Sequence, residues 1–294
     1  MLHGGDIAEG AGASRTVKYG VTQEYVCGLE AVLPSGQIIT CGGKLVKNVT
    51  GYNLIQLLIG SEGTLAVVTK IILRLMPLPK LRVDLLVPFN DFQAAADTVS
   101  DIIAQRIIPT AIEFMERDSV LASEGTWGVT DICLENGALD VLVALRPRDR
   151  DRLGKARRAI IDALKKESPI NHMEDVVVPR AGIPSLLKGI REIGERCAVR
   201  IVNFGHAGDG NVHVNVLKDD LADERGEEII PPLVEEIHRL TLFLGAMITR
   251  EQGIGATRRK YLPLAWDEVQ IEIMEKIREV FDPNGILSPA KIFP

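Results

Sequence analysis

Apolar and polar positions alternate near the start of the chain in the manner of strands. "VCGLEAVLP" and "QIITC" are strand-like, and the Pro-Ser-Gly between them is turn chemistry, so Tyr25 to Gly43 is expected to form a β-hairpin. "NLIQLLIGSEG" reads as a short apolar helix stopped at Gly60, and the nearly continuous apolar run "TLAVVTKIILRLMPLP" as a buried strand pair closed by prolines. Beyond "MPLPK" the pattern changes. "RVDLLVPF", "TAIEFME", "DVLVAL" and "VRIVNFGH" read as strands. "NDFQAAADTVSDIIAQR", with Asn90 as N-cap, reads as an amphipathic helix, and "RDRLGKARRAIIDALKKE" and "SLLKGIREIGERC" also read as helices. "DERGEEIIPPLVEEIHRLTLFLGAM" is a long helix that Pro231 and Pro232 must start or kink, and "AWDEVQIEIMEKIREVF" is the last, closed by "DPNG". Residues 1–25, rich in small residues and without a helical period, read as loop. Strands and helices alternate without the rhythm of a doubly wound sheet, which predicts an α+β chain in two parts.

Composition narrows the class. The chain has 294 residues, 46% of them hydrophobic and 25% charged, which is enough for one large or two ordinary globular domains. A net charge of -6 argues against nucleic acid or an anionic membrane as a general partner. The 4 cysteines, Cys27, Cys41, Cys133 and Cys197, include no CxxC pair, which speaks against an iron–sulfur cluster or a cysteine zinc site. They suit a reducing compartment, and "MLHGGDIAEG" shows no secretory pattern, so the expected location is cytoplasmic. No apolar stretch is long enough to span a bilayer.

Four stretches carry candidate chemistry. In "FGHAGDGNVHVN" the turn Gly208-Asp209-Gly210-Asn211 is bracketed by His206 and His213. By itself this is good hairpin chemistry with a histidine at each shoulder; equally, strands running in and out put both imidazoles within reach of one divalent metal, which favours imidazole nitrogen and needs a further ligand such as a carboxylate. Glu251 precedes a Gly-Ile-Gly turn, where a carboxylate is either plainly solvated or aimed into a cleft. "LVKNVTGYNLIQLLIGSEGTL" is glycine-rich but matches neither a Walker loop nor a dinucleotide fingerprint, so locally it is a connection between helix and strand. Arg157 sits in a basic helical run that reads as a solvated face, or as a bidentate clamp for a substrate carboxylate.

The order of "GGKLVKNVTGYNLIQLLIGSEGTLAVVT", "EDVVVPR", "GHAGDGNVHVN", "EQGIG" and "FDPNGILSPAKIF" closely resembles the FAD-linked 2-hydroxy-acid dehydrogenases of the vanillyl-alcohol-oxidase (VAO/PCMH-type) superfamily, such as the glycolate oxidase flavoprotein subunit and D-lactate dehydrogenases. The resemblance runs along essentially the whole chain. It implies that residues 1–77 are the C-terminal half of a FAD-binding domain. Residues 78–294 would be a cap domain of antiparallel sheet plus helices, whose last helix returns towards the flavin domain. It implies FAD contacts at Gly4, Gly5, Ala8, Gly12, Gly60, Ser61, Gly63, Thr64 and Val68. It also implies a divalent metal (Zn, alternatively Mn or Fe) held by His206, His213 and Glu251, with Asn211 supporting the ligands. Arg157 matches the substrate-carboxylate arginine. The reaction implied is oxidation of a small 2-hydroxy acid, with hydride passing to the flavin and the metal assisting hydroxyl deprotonation.

The sequence also departs from the family pattern. Met1 falls in the middle of the FAD-binding domain, so an N-terminally truncated chain is expected; Gly10 stands where an asparagine is usual and Ala13 where a glycine is. Gln252 occupies the position of the family's base histidine and does not titrate. Gly154 replaces the tryptophan of the arginine motif, Arg258 replaces a lysine, and the cap is expected to carry a deletion near Trp127 to Glu135. The expected partners are the substrate and a protein, electron-accepting or complementing, through which peripheral membrane association would arise. The alternative to an active enzyme is a non-catalytic or complementing subunit of a flavoprotein complex, or a degraded or mis-started gene product.

Overall fold

The computed structural model describes residues 3–116, 139, 142–144, 146–168, 170–217, 219, 221–249 and 253–294. In chain order its main elements are α1 (His3–Glu9), α2 (Thr16–Tyr19), β1 (Val26–Val32), β2 (Ile38–Gly42), α3 (Leu54–Leu58), β3 (Val67–Leu73), β4 (Asp84–Leu86), α4 (Phe92–Ala104), β5 (Phe114–Met115), β6 (Leu142–Ala144), α5 (Pro147–Glu167), β7 (Ile170–Val177), α6 (Ile183–Cys197), β8 (Ile201–His206), β9 (Asn211–Leu217), α7 (Asp223–Phe243), α8 (Leu262–Ala265) and α9 (Glu268–Phe281). The chain separates into two compact units, Met1–Pro77 with Ile248–Pro294, and Leu78–Met247. Helices with antiparallel sheets make this the α+β chain that the patterning predicts.

The first unit is built on the antiparallel sheet β2-β1-β3. The predicted hairpin is present: Leu33 N–H donates to Gln37 O (2.9 Å) across the Pro-Ser-Gly turn, and Leu29 lies opposite Cys41. Leu29, Ala31, Leu58, Ile59, Leu65 and Ala66 form its core with Ile7. Ile7 is the reason residues 1–25 are not the expected loop: burying it holds the glycine-rich segment as α1, with α2 following. The expected strand pair in "TLAVVTKIILRLMPLP" is instead one strand, β3, because Val67, Thr69 and Lys70 face solvent while Leu65 and Ala66 enter the core ahead of it. Asn53 caps α3, its side chain accepting from Gln56 N–H at 3.2 Å.

The second unit contains the four-stranded antiparallel sheet β5-β8-β9-β7 and the small pair β4-β6. On one face of the larger sheet Val202, Phe204 and Leu217 pack against Ile160 and Leu164 of α5. On the other face lie the fully buried Val212, Val214 and Val216 of β9. Three expectations change here. Asp91, not Asn90, caps α4: its carboxylate accepts from Ala94 N–H at 3.0 Å. Strand β7 was not expected, because His172, Glu174 and Asp175 break its apolar pattern. The α7 helix starts well before Pro231 and Pro232 and runs through both, so they do not begin it. The expected deletion near Trp127 to Glu135 lies outside the described residues.

Candidate functional site

The strongest site is the β8-β9 hairpin. Its turn is closed by N–H groups of Asp209 (3.3 Å) and Gly210 (3.0 Å) donating to His206 O. Gly210 has φ of 85°, and a Cβ on it would lie 1.8 Å from Val178 O, so a side chain is impossible there. The register pairs Phe204 with His213 and His206 with Asn211, and strand alternation therefore sets all four on one face. The two imidazoles are brought together, ring centroids 5.1 Å apart and nearly perpendicular.

Each imidazole meets a carboxylate through its Nδ1. His206 Nδ1 is 2.8 Å from Glu113 Oε2, and His213 Nδ1 is 3.0 Å from Asp175 Oδ1. Glu113 is delivered by β5, where Phe114 pairs with Gly205, and by Gly208 N–H donating to Ile112 O at 3.1 Å. Asp175 is delivered by β7, directly opposite His213. The Asp175 carboxylate is buried; its approach to His213 is within ion-pair range but outside hydrogen-bond geometry, and among the described residues neither oxygen accepts a hydrogen bond. Asn211 is wholly buried beside this pair with neither amide atom bonded among the described residues. Asn215 Nδ2 donates to Val202 O (3.1 Å) and His213 O (3.2 Å). Carboxylates at Nδ1 make Nε2 the nitrogen that offers a lone pair, the donor a divalent metal takes. Among the described residues no group of three His, Cys, Asp or Glu is placed to hold a metal ion by itself. Glu251 and Gln252 lie outside the described residues, and Arg157 lies on α5 one turn before Ile160.

The segments expected to contact flavin all belong to the first unit. The end of α1 and the Gly60–Thr64 segment are laced together: Gly60 N–H donates to Ile7 O (3.0 Å) and Glu62 N–H to Ala8 O (2.7 Å). Gly4 and Gly5 face open space, whereas Ser61 and Thr64 are buried and spend their hydroxyls on Leu58 O (2.8 Å) and Ser61 O (2.7 Å). Gly12 follows α1, Gly63 has φ of 73°, and Val68 lies in β3 opposite Ala31.

Sequence reasoning missed three acids. Glu113 and Asp175 stand behind the histidines. Glu62, buried and in the left-handed region at φ of 51°, accepts from Ile254 N–H (2.7 Å) and Gly255 N–H (2.9 Å). This carboxylate holds the Gly-Ile-Gly turn that follows Glu251. A Cβ on Gly253 would sit 2.4 Å from Glu62 Oε1, which explains the first glycine of that turn. The available signal was an acid inside an apolar strand for Asp175 and between two glycines for Glu62.

Comparison with solved structures gives the class. The fold is similar to 4-ethylphenol oxidase from Gulosibacter chungangensis, with a TM-score of 0.64 at 17% identity, covering 92% of this chain and 66% of that one. It is also similar to p-cresol methylhydroxylase, with a TM-score of 0.63 at 15% identity, covering 97% and 68%. At such identity these likenesses show the fold alone, one shared with 4-ethylphenol oxidase and p-cresol methylhydroxylase. Residues 78–131 and 128–292 match the family of FAD linked oxidases, C-terminal domain, and the chain belongs to the FAD-linked oxidases, which are oxidoreductases. It is 37% identical to "Glycolate oxidase subunit GlcD" of Bacillus subtilis (99% of this chain, 67% of that protein) and 32% identical to D-lactate dehydrogenase of Anaerostipes hadrus (98% and 68%). It is 30% identical to D-2-hydroxyglutarate dehydrogenase of Stutzerimonas stutzeri (99% and 69%). The chain thus spans about two thirds of the length of these relatives. Among the described residues no helix is long and apolar enough to cross a membrane.

Proposed function

We propose that this chain serves FAD-dependent oxidation of a small 2-hydroxy acid of the glycolate or D-lactate type, assisted by a divalent cation. The observation that carries the reading is the pair of histidines, His206 buried and His213 largely so, rings 5.1 Å apart, each with a carboxylate at Nδ1, in a chain of the FAD-linked oxidase family. The donor set fits a cation: two imidazole nitrogens with a carboxylate behind each are what Zn²⁺, Mn²⁺ or Fe²⁺ accepts. His206 and His213 would hold it through Nε2, with Glu251 the proposed third ligand. FAD supplies the two-electron acceptor and the cation supplies Lewis acidity at the substrate hydroxyl. Gly4, Gly5, Ala8, Gly12, Gly60, Ser61, Gly63, Thr64 and Val68 are the proposed flavin contacts. The open backbone at Gly4 and Gly5, close to a segment laced to Gly60 and Glu62, supports that assignment. Arg157 would pair with the substrate carboxylate through its planar fork. Gln252 orients the substrate by donating from its amide and takes no proton, because an amide does not titrate in this range.

The test is anaerobic flavin bleaching. The chain, loaded with FAD and a divalent cation, is mixed with glycolate, D-lactate or D-2-hydroxyglutarate, and loss of the oxidised-flavin absorbance is followed. At least one acid is expected to bleach it. A chain that carries FAD and is bleached by none of them overturns the reading. A second reading, that the chain works as a complementing subunit of a flavoprotein complex, is favoured by the large apolar side chains left exposed around β2 and β3: Ile38, Val46, Val49, Tyr52 and Val67. Sedimentation as a stable monomer with no co-purifying protein counts against it.

A further inference from the structure

We propose that Glu113 and Asp175 are the positioning residues of the histidine pair: with a shared divalent cation bound, each takes the Nδ1–H hydrogen bond of one imidazole, fixing its tautomer and aiming its Nε2 at the cation. The inference rests on the metal reading above and names residues that reading does not contain.

Four observations support it. In both contacts a carboxylate oxygen lies at Nδ1, hydrogen-bonded at 2.8 Å for His206 and at ion-pair distance, 3.0 Å, for His213, and the two acids come from separate segments of the sheet. Both acids are built in. Glu113 is pinned by the pairing of Phe114 with Gly205 and by the Gly208–Ile112 hydrogen bond, and Asp175 by the ladder that sets it against His213. Along β7 the acids sort by face. Glu174 points the other way and lies 2.6 Å from His172 through Oε1, which leaves Asp175 as the acid on the face of His206 and His213. Finally, the Asp175 carboxylate is buried and, among the described residues, accepts no hydrogen bond, an expensive state for a charge. A cation on Nε2 of His213 removes that expense twice over. Its field offsets the buried negative charge, and it makes Nδ1–H a stronger donor with Asp175 as the acceptor in reach.

The experiment uses the whole chain, metal-free, titrated with Co²⁺ while the visible d–d absorption is read, with Zn²⁺ as competitor. Glu113→Gln and Asp175→Asn are each expected to weaken Co²⁺ about 10- to 100-fold, with thermal unfolding of the metal-free variants matching wild type. The double variant His206→Ala/His213→Ala is expected to abolish the spectrum. Wild type that binds Co²⁺ while both acid variants bind it equally well overturns the positioning role and leaves the metal reading standing. Wild type that binds neither ion overturns both. A measurement that needs no variant is the nitrogen-15 spectrum of the imidazoles in the Zn²⁺-loaded wild type. Nδ1-protonated tautomers at His206 and His213 are expected, and an Nε2-protonated ring at either overturns the proposal even where a variant fails to fold.

Discussion

Replacing Glu62 is the sharpest test of how the Gly-Ile-Gly turn is held. The Glu62 carboxylate accepts from Ile254 N–H at 2.7 Å and from Gly255 N–H at 2.9 Å, and it is buried. Hydrogen bonds to a charged acceptor contribute about 1.5–3 kcal/mol each, and truncation removes both from the half-buried Ile254 and Gly255 amides. Two stranded donors put Glu62→Ala at about 3–6 kcal/mol of destabilisation. Alanine gains nothing back, since φ of 51° is as strained for it as for glutamate. Glu62→Gly loses the same bonds but relieves about 1 kcal/mol of backbone strain, and Glu62→Gln keeps one neutral oxygen in place. The expected order of stability is therefore wild type, Gln, Gly, Ala. Urea unfolding measures the order, and hydrogen–deuterium exchange at the Ile254 and Gly255 amides measures the cause, protection there falling on the order of 100-fold for a loss of about 3 kcal/mol. An alanine variant within about 1 kcal/mol of wild type, with those two amides still protected, would refute the reasoning.

Two further predictions follow from close contacts and charge. Gly210→Ala is expected to cost about 3 kcal/mol or more, because its Cβ would lie 1.8 Å from Val178 O at a positive φ; an unchanged melting temperature would contradict it. The Arg200 guanidinium, hydrogen-bonded to Asp219, holds that carboxyl below the ordinary aspartate value of 3.8, with Ser168 adding to the effect against the opposing pull of burial. A depressed folded pKa means stability that is present above the unfolded value and lost as pH falls through the folded one. The stability difference between wild type and Asp219→Asn is therefore expected near neutral pH and to vanish in acid; a difference that grows on acidification would reverse the sign.

Local pattern was enough to read the β1-β2 hairpin, α6 and the β8-β9 hairpin, since each is set by apolar spacing and turn residues within its own few residues. Where the reading failed, a distant contact had overruled the local signal. Strand β7 carries His172, Glu174 and Asp175, so it does not read as a strand; those charges are tolerated because histidines face them. The glycine-rich start folds as helix because Ile7 finds a core made by residues far along the chain. Site acids were hidden for the same reason. The Glu113–His206 contact closes over a separation of 93 positions and the Glu62–Ile254 bond over 192, and spacing within a motif carries no trace of either. The histidines themselves were legible because both flank one turn.

The Glu62 bond also bears on the order in which the newly made chain can fold. Residues 78–247 are contiguous and form their unit from segments that leave the ribosome together. The other unit needs Met1–Pro77 and Ile248–Pro294, and its tie between Glu62 and the Gly-Ile-Gly turn cannot close until residues 253–255 have emerged. Throughout, β2 and β3 are the edges of this unit's sheet beside the exposed apolar side chains of Val46, Tyr52 and Val67. Residues 1–77 are thus completed only after residues 78–247 have been made, and a ribosome that stalls before Ile248 releases a chain in which the Glu62 tie is missing beside those sheet edges.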